Sequence, residues 1–321
     1  MTGGAGFIGS HVVDAYLAAR HEVIVVDNLS SGRREHLPPN ARFVQMDIRD
    51  PALRSVFERE RPEVVNHHAA QSSVSVSVSD PRLDAEVNII GMINLLTHCL
   101  EFKTRRVIFA STGGAIYGEP DRIPVEESHP ARPISPYGIS KLTGEMYLQE
   151  FGRRGLEWAV LRYANVYGPR QDPHGEAGVV AIFTQAMLDG RTPTIFGDGR
   201  QTRDFVYVGD VAAANLRALD APPGQIANIG TGIDTTVNDL FAKLADLCTF
   251  RGKATYAAPR PGDVNRVAVS IARAKTWLKW APQVDLSDGL SRTVEWFRTK
   301  KSSHAVPGTE TGDPAIGYGV T

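Results

Sequence analysis

The sequence of 321 residues has little cysteine, no long apolar run and almost no net charge. Its two cysteines, Cys99 and Cys248, are too few for a disulfide framework or a four-cysteine zinc site, and both lie in apolar helical patterns typical of core thiols. No apolar run has the length of a transmembrane helix, and no signal-peptide pattern precedes the first glycines. The formal net charge of −1 gives no field that would attract nucleic acid or an anionic membrane. These absences predict a soluble, cytoplasmic protein with no metal site and no nucleic-acid or membrane partner.

Strand and helix patterns alternate along the first half of the chain. A helix pattern follows the first glycines, a buried strand pattern ends at Asp27, and the alternation continues to about Asn165. Repeated units of this kind predict the α/β class, with a doubly wound parallel sheet and right-handed crossovers. The shorter, less regular patterns that follow predict a smaller interleaved lobe. We expect a sheet domain over 1–165, continued near 204–230, a lobe mainly over 166–300 and a disordered tail over 301–321.

The stretch SSVSVSVS at 72–79 alternates between serine and valine. Strict alternation is typical of an exposed edge strand. Its position, directly after a strand end and before a long helix pattern, favours instead a loop near the ligand.

A glycine pattern, G-x-x-G-x-x-G, stands at Gly3, Gly6 and Gly9, directly before the first helix. Backbone without side chains lets a pyrophosphate approach closely, and the amides of a helix N-terminus stabilise its charge. Asp27 ends the next strand, where a carboxylate can bind the hydroxyls of an adenosine ribose. Because the same carboxylate would repel a 2′-phosphate, the pattern favours NAD over NADP.

A candidate reactive pair lies further along the chain. Tyr137 and Lys141 are four residues apart in a helix pattern, so both side chains project from one face. A free phenol has a pKa of about 10, and a neighbouring ammonium would lower it toward the range of a useful base. Tyr137 could then exchange a proton with a sugar hydroxyl. Ser111 and Thr112 end a buried strand pattern, and either hydroxyl could share that proton.

Several motifs together resemble the extended short-chain dehydrogenase/reductases of the NAD-dependent epimerase/dehydratase family. The resemblance covers about residues 2–300 and is closest to the bacterial UDP-glucose 4-epimerases. The motifs are TGGAGFIGSH, VVDNLSSG, MDIRD, HHAAQ, STGGAIYGE, SPYGISK, LRYANVYGPRQ, IFGDG-x-x-TRDFVYVGD and NIGTG.

The resemblance implies a role for each matching residue. Tyr137 and Lys141 are the expected catalytic pair, assisted by Thr112 or Ser111. The expected cofactor-binding residues are Gly3, Gly6, Phe7, Ile8, Asp27, Asn28, Asp47, Ile48, Ala69, Ala70, Gln71, Asn88, Lys141 and Tyr163. The expected substrate-binding residues are Asn165, Phe196, Arg203, Arg260 and Asp263. A homodimer through the two long helices near 80–102 and 135–152 is also implied.

The reaction that the resemblance implies is NAD-dependent epimerisation at C4 of a UDP-hexose, through a transient 4-keto sugar. UDP-glucose and UDP-galactose are the expected substrates. The small Val267, at a position that carries a bulky residue in some epimerases, adds N-acetylated UDP-hexoses as candidates. Two alternatives stay open. A dehydratase or decarboxylase of the same family is one, although Gly113 and Gly114 stand where dehydratases carry an Asp-Glu pair. The other is a non-catalytic nucleotide sensor, which would be expected to lose Tyr137 or Lys141.

The first residues raise a separate question. In the family a short apolar strand ending in Val-Thr-Gly-Gly runs through the middle of the sheet, and here Met1 stands at the valine position. We hypothesise that a GTG valine codon was taken as a start codon, so that the first strand is missing from the sequence. A sheet without that strand would leave backbone groups unpaired on both neighbouring strands, and we would then expect poor stability and weak NAD binding.

Overall fold

The computed structural model describes residues 1–174, 178–259 and 264–304. The strands are β1 (Ile24–Asp27), β2 (Arg42–Gln45), β3 (Val64–His67), β4 (Arg106–Thr112), β5 (Glu157–Tyr163), β6 (Asn165–Tyr167), β7 (Thr194–Phe196), β8 (Thr202–Arg203), β9 (Phe205–Tyr207), β10 (Gln225–Ile229), β11 (Thr235–Thr236) and β12 (Thr255–Ala257). The helices are α1 (Phe7–Ala18), α2 (Leu53–Glu60), α3 (Val74–Ser79), α4 (Pro81–Ala85), α5 (Gly91–Glu101), α6 (Pro136–Arg153), α7 (Val179–Leu188), α8 (Val208–Ala218), α9 (Val237–Cys248), α10 (Ala272–Trp277) and α11 (Leu286–His304). A 3₁₀ turn covers Arg34–His36, and a π-helical segment, Glu86–Ile90, joins α4 to α5.

The main sheet is parallel. Strands β10, β5, β4 and β3 lie side by side in that order, and β1 pairs with β2. Thr2 joins the two groups, because it forms parallel bridges to Val26 of β1 and to His67 of β3. The first strand–helix units therefore share one sheet in the order β2, β1, Thr2, β3, β4, β5, β10.

Helices cover both faces of this sheet. Val107 and Phe109 of β4 pack in one cluster with residues of α2, α5 and α6. Ile108, from the same strand, packs in a second cluster with residues of α1 and α8. Because successive side chains of a strand point to opposite faces, one buried strand supplies both layers. The predicted doubly wound α/β fold is confirmed.

The later elements form a smaller lobe with its own core. Phe183 of α7, Leu240 and Leu244 of α9, and Leu290 of α11 pack together there. The chain returns to the main sheet through β10, which pairs with β5. This return agrees with the interleaving expected from the sequence, while the division into domains stays a prediction.

Three local expectations meet a different or partial outcome. The stretch 72–79 is neither an edge strand nor a loop, because Val74–Ser79 form α3, capped by Ser73, whose Oγ accepts from the Val76 amide at 3.0 Å. The expected tail from 301 begins inside α11, which runs to His304, and residues 305–321 lie outside the described residues. Cys99 is a buried free thiol, as predicted, whereas Cys248 is half-buried. No helix in the described part of the chain is long and apolar enough to cross a membrane.

Candidate functional site

The glycine turn lies between the sheet and the first helix. Gly3 has a φ of +66°, in the left-handed region, and a Cβ there would collide with the backbone of Ala69. A Cβ at Gly9 would collide with the Gly3 carbonyl, so the turn and the start of α1 are packed backbone to backbone. Gly6 caps α1 without a side-chain hydrogen bond. The first amides of a helix have no intrahelical acceptor, so this turn presents donors suited to an anion.

Asp27 lies beside the same turn. Its carboxylate accepts from the Ala5 amide at 2.9 Å and from the Leu29 amide at 2.8 Å, and the side chain is buried. The carboxylate is therefore held in a fixed position where β1 ends. It keeps further lone pairs for ribose hydroxyls, since an ionised carboxylate accepts about four hydrogen bonds.

The neighbouring acidic side chain is engaged within the protein. Asp47 accepts from Arg49 at 2.8 Å and from the Asn28 amide group at 2.9 Å, and the bond from Arg49 holds the pKa of Asp47 well below its usual value. Ile48 is buried against Gly91, at the start of α5. The expected adenine contacts of Asp47 and Ile48 stay predictions.

The loop after β3 is tied to the helices beside it. The Gln71 amide donates to the Asn88 side chain, which donates back to the Gln71 carbonyl, both at 2.9 Å. Ala69 follows directly after this strand, and its amide donates to Thr2 Oγ1 at 3.3 Å. Asn88 lies in the π-helical segment, a distortion often found at functional sites. Ala70 belongs to the same loop.

Sequence reasoning missed Asp84. Its Oδ1 accepts from the side chains of Gln71 and Asn88, both at 3.0 Å, and the residue is only 1% exposed. It lies four residues before Asn88, so helical spacing places the two side chains on one face. That spacing was a usable signal.

The predicted reactive pair is brought together at the start of α6. Ser135 caps this helix by accepting from the Gly138 amide at 3.2 Å. Lys141 Nζ donates to the Ala110 carbonyl at 2.9 Å and lies 5.8 Å from the centre of the Tyr137 ring. The ammonium therefore lies over the ring and is fixed to the end of β4.

The pKa of the phenol moves opposite to the expectation from the sequence. Burial, with the charge of Asp84 as a second cause, raises the pKa of Tyr137 to about 12, and a hydrogen bond with Thr112 acts against this rise. Burial lowers the pKa of Lys141 to about 8, while Asp84 and Glu145 act to raise it. Removal of both groups from water outweighs their mutual effect, so Tyr137 holds its proton in this state.

The two candidate hydroxyls point to different partners. Ser111 Oγ donates to Glu145 at 2.5 Å, and Glu145 also accepts two bonds from Arg162, at 2.9 and 2.6 Å. Thr112 Oγ1 accepts from the Gly114 and Ala115 amides, both at 3.2 Å, and bonds with Tyr137. The geometry therefore favours Thr112 as the partner of Tyr137 and assigns Ser111 to a buried ion-pair network.

Tyr163 lies beside Thr112 in the β4–β5 ladder, but its hydroxyl is turned into the interior. That hydroxyl bonds His68 Nε2 at 3.0 Å and the side chain of Asn215, and the Tyr163 ring stacks on His68. Burial raises its pKa far above the usual value. The hydroxyl is thus already paired, so only the remainder of Tyr163 is available for the expected cofactor contact.

The expected substrate residues are only partly described. Asn165 Oδ1 is buried and has no hydrogen-bond partner among residues 1–174, 178–259 and 264–304, and it lies 3.8 Å from a Cβ placed on Gly114. An unpartnered acceptor next to Thr112 suits a ligand donor. Phe196 ends β7, and Arg203 donates to the Val264 carbonyl at 2.7 Å. Val267 is buried. Arg260 and Asp263 lie outside the described residues.

Comparisons with known proteins agree with this geometry. The sequence profile described as the NAD dependent epimerase/dehydratase family matches residues 1–230. UDP-glucose 4-epimerase from Mycolicibacterium smegmatis is 45% identical over 307 residues, covering 94% of this chain and 98% of the relative. The crystal structure of UDP-glucose 4-epimerase with UDP-glucose from Thermotoga maritima is 51% identical with a TM-score of 0.92, over 94% of this chain and 98% of that one. That of the Thermus thermophilus UDP-glucose 4-epimerase complex with NAD is 46% identical with a TM-score of 0.89, over 95% and 98%.

Proposed function

Because the chain belongs to the NAD-dependent epimerase/dehydratase family, we propose that it is an isomerase that epimerises UDP-hexoses at C4, with NAD as its cofactor. The observation that carries this proposal is the joint geometry of Tyr137, Thr112 and Lys141 within the same sheet edge as the glycine turn. A phenol, a hydroxyl and an ammonium around one point are what proton exchange at a sugar hydroxyl requires.

The residues at the glycine turn fit the cofactor. The tight contact of Gly3 with Ala69 and the uncapped start of α1 form a cradle that a Cβ would fill. Gly3, Gly6, Phe7 and Ile8 would hold the pyrophosphate, and Asp27 would hold the adenosine ribose. When bound, NAD supplies a reversible acceptor for the hydride of C4.

The chain's own residues handle the proton. We assign Tyr137 to exchange it with the C4 hydroxyl, with Thr112 bridging the two oxygens. Since burial keeps the pKa of Tyr137 at about 12, the phenol releases its proton only when positive charge comes close. Lys141 supplies part of that charge, and the Ala110 carbonyl fixes its ammonium in place.

Elimination of water, the dehydratase reaction, finds less support. It needs an acid and a base beside the catalytic hydroxyl. Thr112 is followed by Gly113 and Gly114, and a Cβ on Gly114 would meet nothing closer than 3.8 Å. The space is open beside the reacting atoms, which suits the turning of a 4-keto sugar between its two faces. Detection of a 6-deoxy-4-keto product would overturn this assignment.

The test is product analysis by NMR with UDP-glucose, UDP-N-acetylglucosamine and UDP-glucuronic acid offered separately. We expect the C4 epimer of at least one, and loss of about 10²–10⁴ in kcat for Tyr137→Phe. Tyr147→Phe removes a half-buried phenol from the same helix and is the matched control. Equal rates for the two variants would contradict the proposal. The same comparison ranks the three sugars and tests the N-acetylated substrates that the small Val267 favours.

We also propose a homodimer. Most of the large exposed apolar side chains of the described residues lie on or next to α3, the π-helical segment and α6, which pack side by side; these are Val76, Val78, Ile90, Ile134, Ile139 and Met146. Light scattering after size exclusion should give twice the chain mass, and Met146→Lys should give the monomer. Ile233→Lys, which changes an equally exposed side chain elsewhere, is the control. A monomeric parent protein would contradict the dimer. The cytoplasmic location stays a prediction.

A further inference from the structure

A cavity of about 450 Å³ lies in the plane of the main sheet, between β1 and β3 and next to Met1. The two strands are joined only at the end near the glycine turn, where Thr2 bridges Val26 and His67. Toward their amino ends they separate around the cavity, which Ile24 and Val64 line from opposite sides. The cavity has the position of a strand within the sheet, and we call it the strand slot.

The first residues already follow the path of a middle strand. The Val26 amide donates to the Met1 carbonyl at 2.8 Å, and the Thr2 amide donates to the Asn66 carbonyl at 3.0 Å. The Met1 ammonium donates to the Ile24 carbonyl at 2.8 Å, which is the bond that a backbone amide makes at that position of a parallel ladder. The ladder thus points from Met1 into the strand slot.

The backbone of both neighbours continues this ladder. Residues of β1 and β3 that bond to Met1–Gly3 alternate with those that bond to β2 and β4, since the Arg42 amide donates to Val23 and the Arg105 amide to Glu63. Alternation therefore turns the amides of Ile24 and Asn66 toward the strand slot. An occupant parallel to both strands would meet a donor or an acceptor at each of its residues.

The walls above and below the strand slot are apolar. Leu53, Val56, Phe57 and Leu95 line it from the side of α2 and α5, and Tyr16 and Leu219 line it from the other side. A strand buried on both faces is apolar at successive positions, without polar alternation. At about 3.3 Å per residue, four residues would reach from Met1 to the level of Glu22 and Pro62, the ends of the cavity.

We propose that an extended apolar segment of about four residues, joined to the Met1 nitrogen by a peptide bond, fills the strand slot as the middle strand of the sheet. A peptide amide would donate to Ile24 as the ammonium does, without bringing a charge into an apolar site. Burial already lowers the pKa of the Met1 ammonium to about 5, which reflects the same penalty. Because Gly3 follows Thr2 directly, the added strand would also anchor the glycine turn.

The test compares three chains: the 321-residue chain, the chain preceded by Ile-Leu-Val-Ile, and the chain preceded by Gly-Ser-Asn-Gly. The initiator methionine precedes each extension. We expect the apolar extension to raise the Tm by about 5–10 °C and to increase soluble yield and bound NAD after purification, while the polar extension does not. Hydrogen exchange should slow in peptides covering 22–26 and 62–66 with the apolar extension only. These readouts do not require epimerase activity, so failure here is distinct from failure of the proposed function.

Two results would overturn the proposal. One is an apolar extension no better than the polar one in Tm and soluble yield. The other is a gain in stability with no slower exchange at 22–26 and 62–66, because the segment would then bind outside the strand slot.

Discussion

Replacing Thr112 and Ser111 separately tests which hydroxyl serves Tyr137. Thr112→Val removes the hydroxyl and keeps the branched shape of the side chain. We expect kcat to fall about 10²–10³-fold, or roughly 3–4 kcal/mol of transition-state stabilisation, because the phenol loses its hydroxyl partner. The Gly114 and Ala115 amides lose their acceptor but are only half-buried, so water can replace it and the loss of stability stays below about 1.5 kcal/mol.

Ser111→Ala should have the opposite profile. It removes a buried bond of 2.5 Å to the Glu145 carboxylate, a loss of about 1.5–3 kcal/mol of unfolding free energy for a bond to a charged group. Glu145 keeps its two bonds from Arg162, so the network loses one member and retains its ion pair. We expect kcat to stay near the parent value.

Two assays separate these outcomes. Chromatography of UDP-glucose and UDP-galactose gives kcat and KM, and urea unfolding gives the free energy of unfolding. The reasoning is refuted if Ser111→Ala loses two orders of magnitude in kcat while Thr112→Val keeps the parent rate. It is equally refuted if both variants lose stability and activity in the same proportion, since the two hydroxyls would then serve one network.

Two further predictions concern buried charge and pH. Glu145→Gln should lower the unfolding free energy by about 3–5 kcal/mol in urea melts, because it leaves Arg162 charged in a buried site, and a loss below 1 kcal/mol, about the upper value for an exposed pair, would contradict this. Burial lowers the pKa of His68 to about 3 and that of His67 well below its usual value, so only the unfolded chain takes up these protons below about pH 6.5. The unfolding free energy should therefore fall by about 1.4 kcal/mol per pH unit and histidine between pH 6 and pH 4; equal urea midpoints at pH 7 and pH 4.5 would contradict it.

The sequence predicted the positions of Asp27, Tyr137 and Lys141 because strand ends and helical spacing determine them locally. It left Ser111 and Thr112 as alternatives for a physical reason. Adjacent residues of a strand point to opposite faces, and only the packing of the sheet against α6 decides which face meets Tyr137. Asp84 was missed because its role depends on the loop after β3, which is far from it in sequence.

Sequence reasoning was also limited at 72–79, where strict alternation suggested a strand or a loop. A strand needs a neighbour to pair with, and the carboxyl edge of β3 offers none there; the caps at Ser73 and Asp80 instead support two short helices. The pKa of Tyr137 could not be predicted from Lys141 alone, since burial has the larger effect and depends on the whole fold. Local patterns thus located the reactive groups but not their protonation.

The cofactor and the proton site depend on the sheet to different degrees. Asp27, Ala69 and Thr112 end or directly follow β1, β3 and β4, and the glycine turn follows Thr2, so all of them meet at one carboxyl edge, where such sheets bind ligands. Thr112 and its partners rest on β4 and β5, which are paired along their full length. The glycine turn rests on Thr2 alone, between two strands that the strand slot separates. A weakness in the middle of the sheet should therefore reduce NAD affinity before it disturbs the proton site.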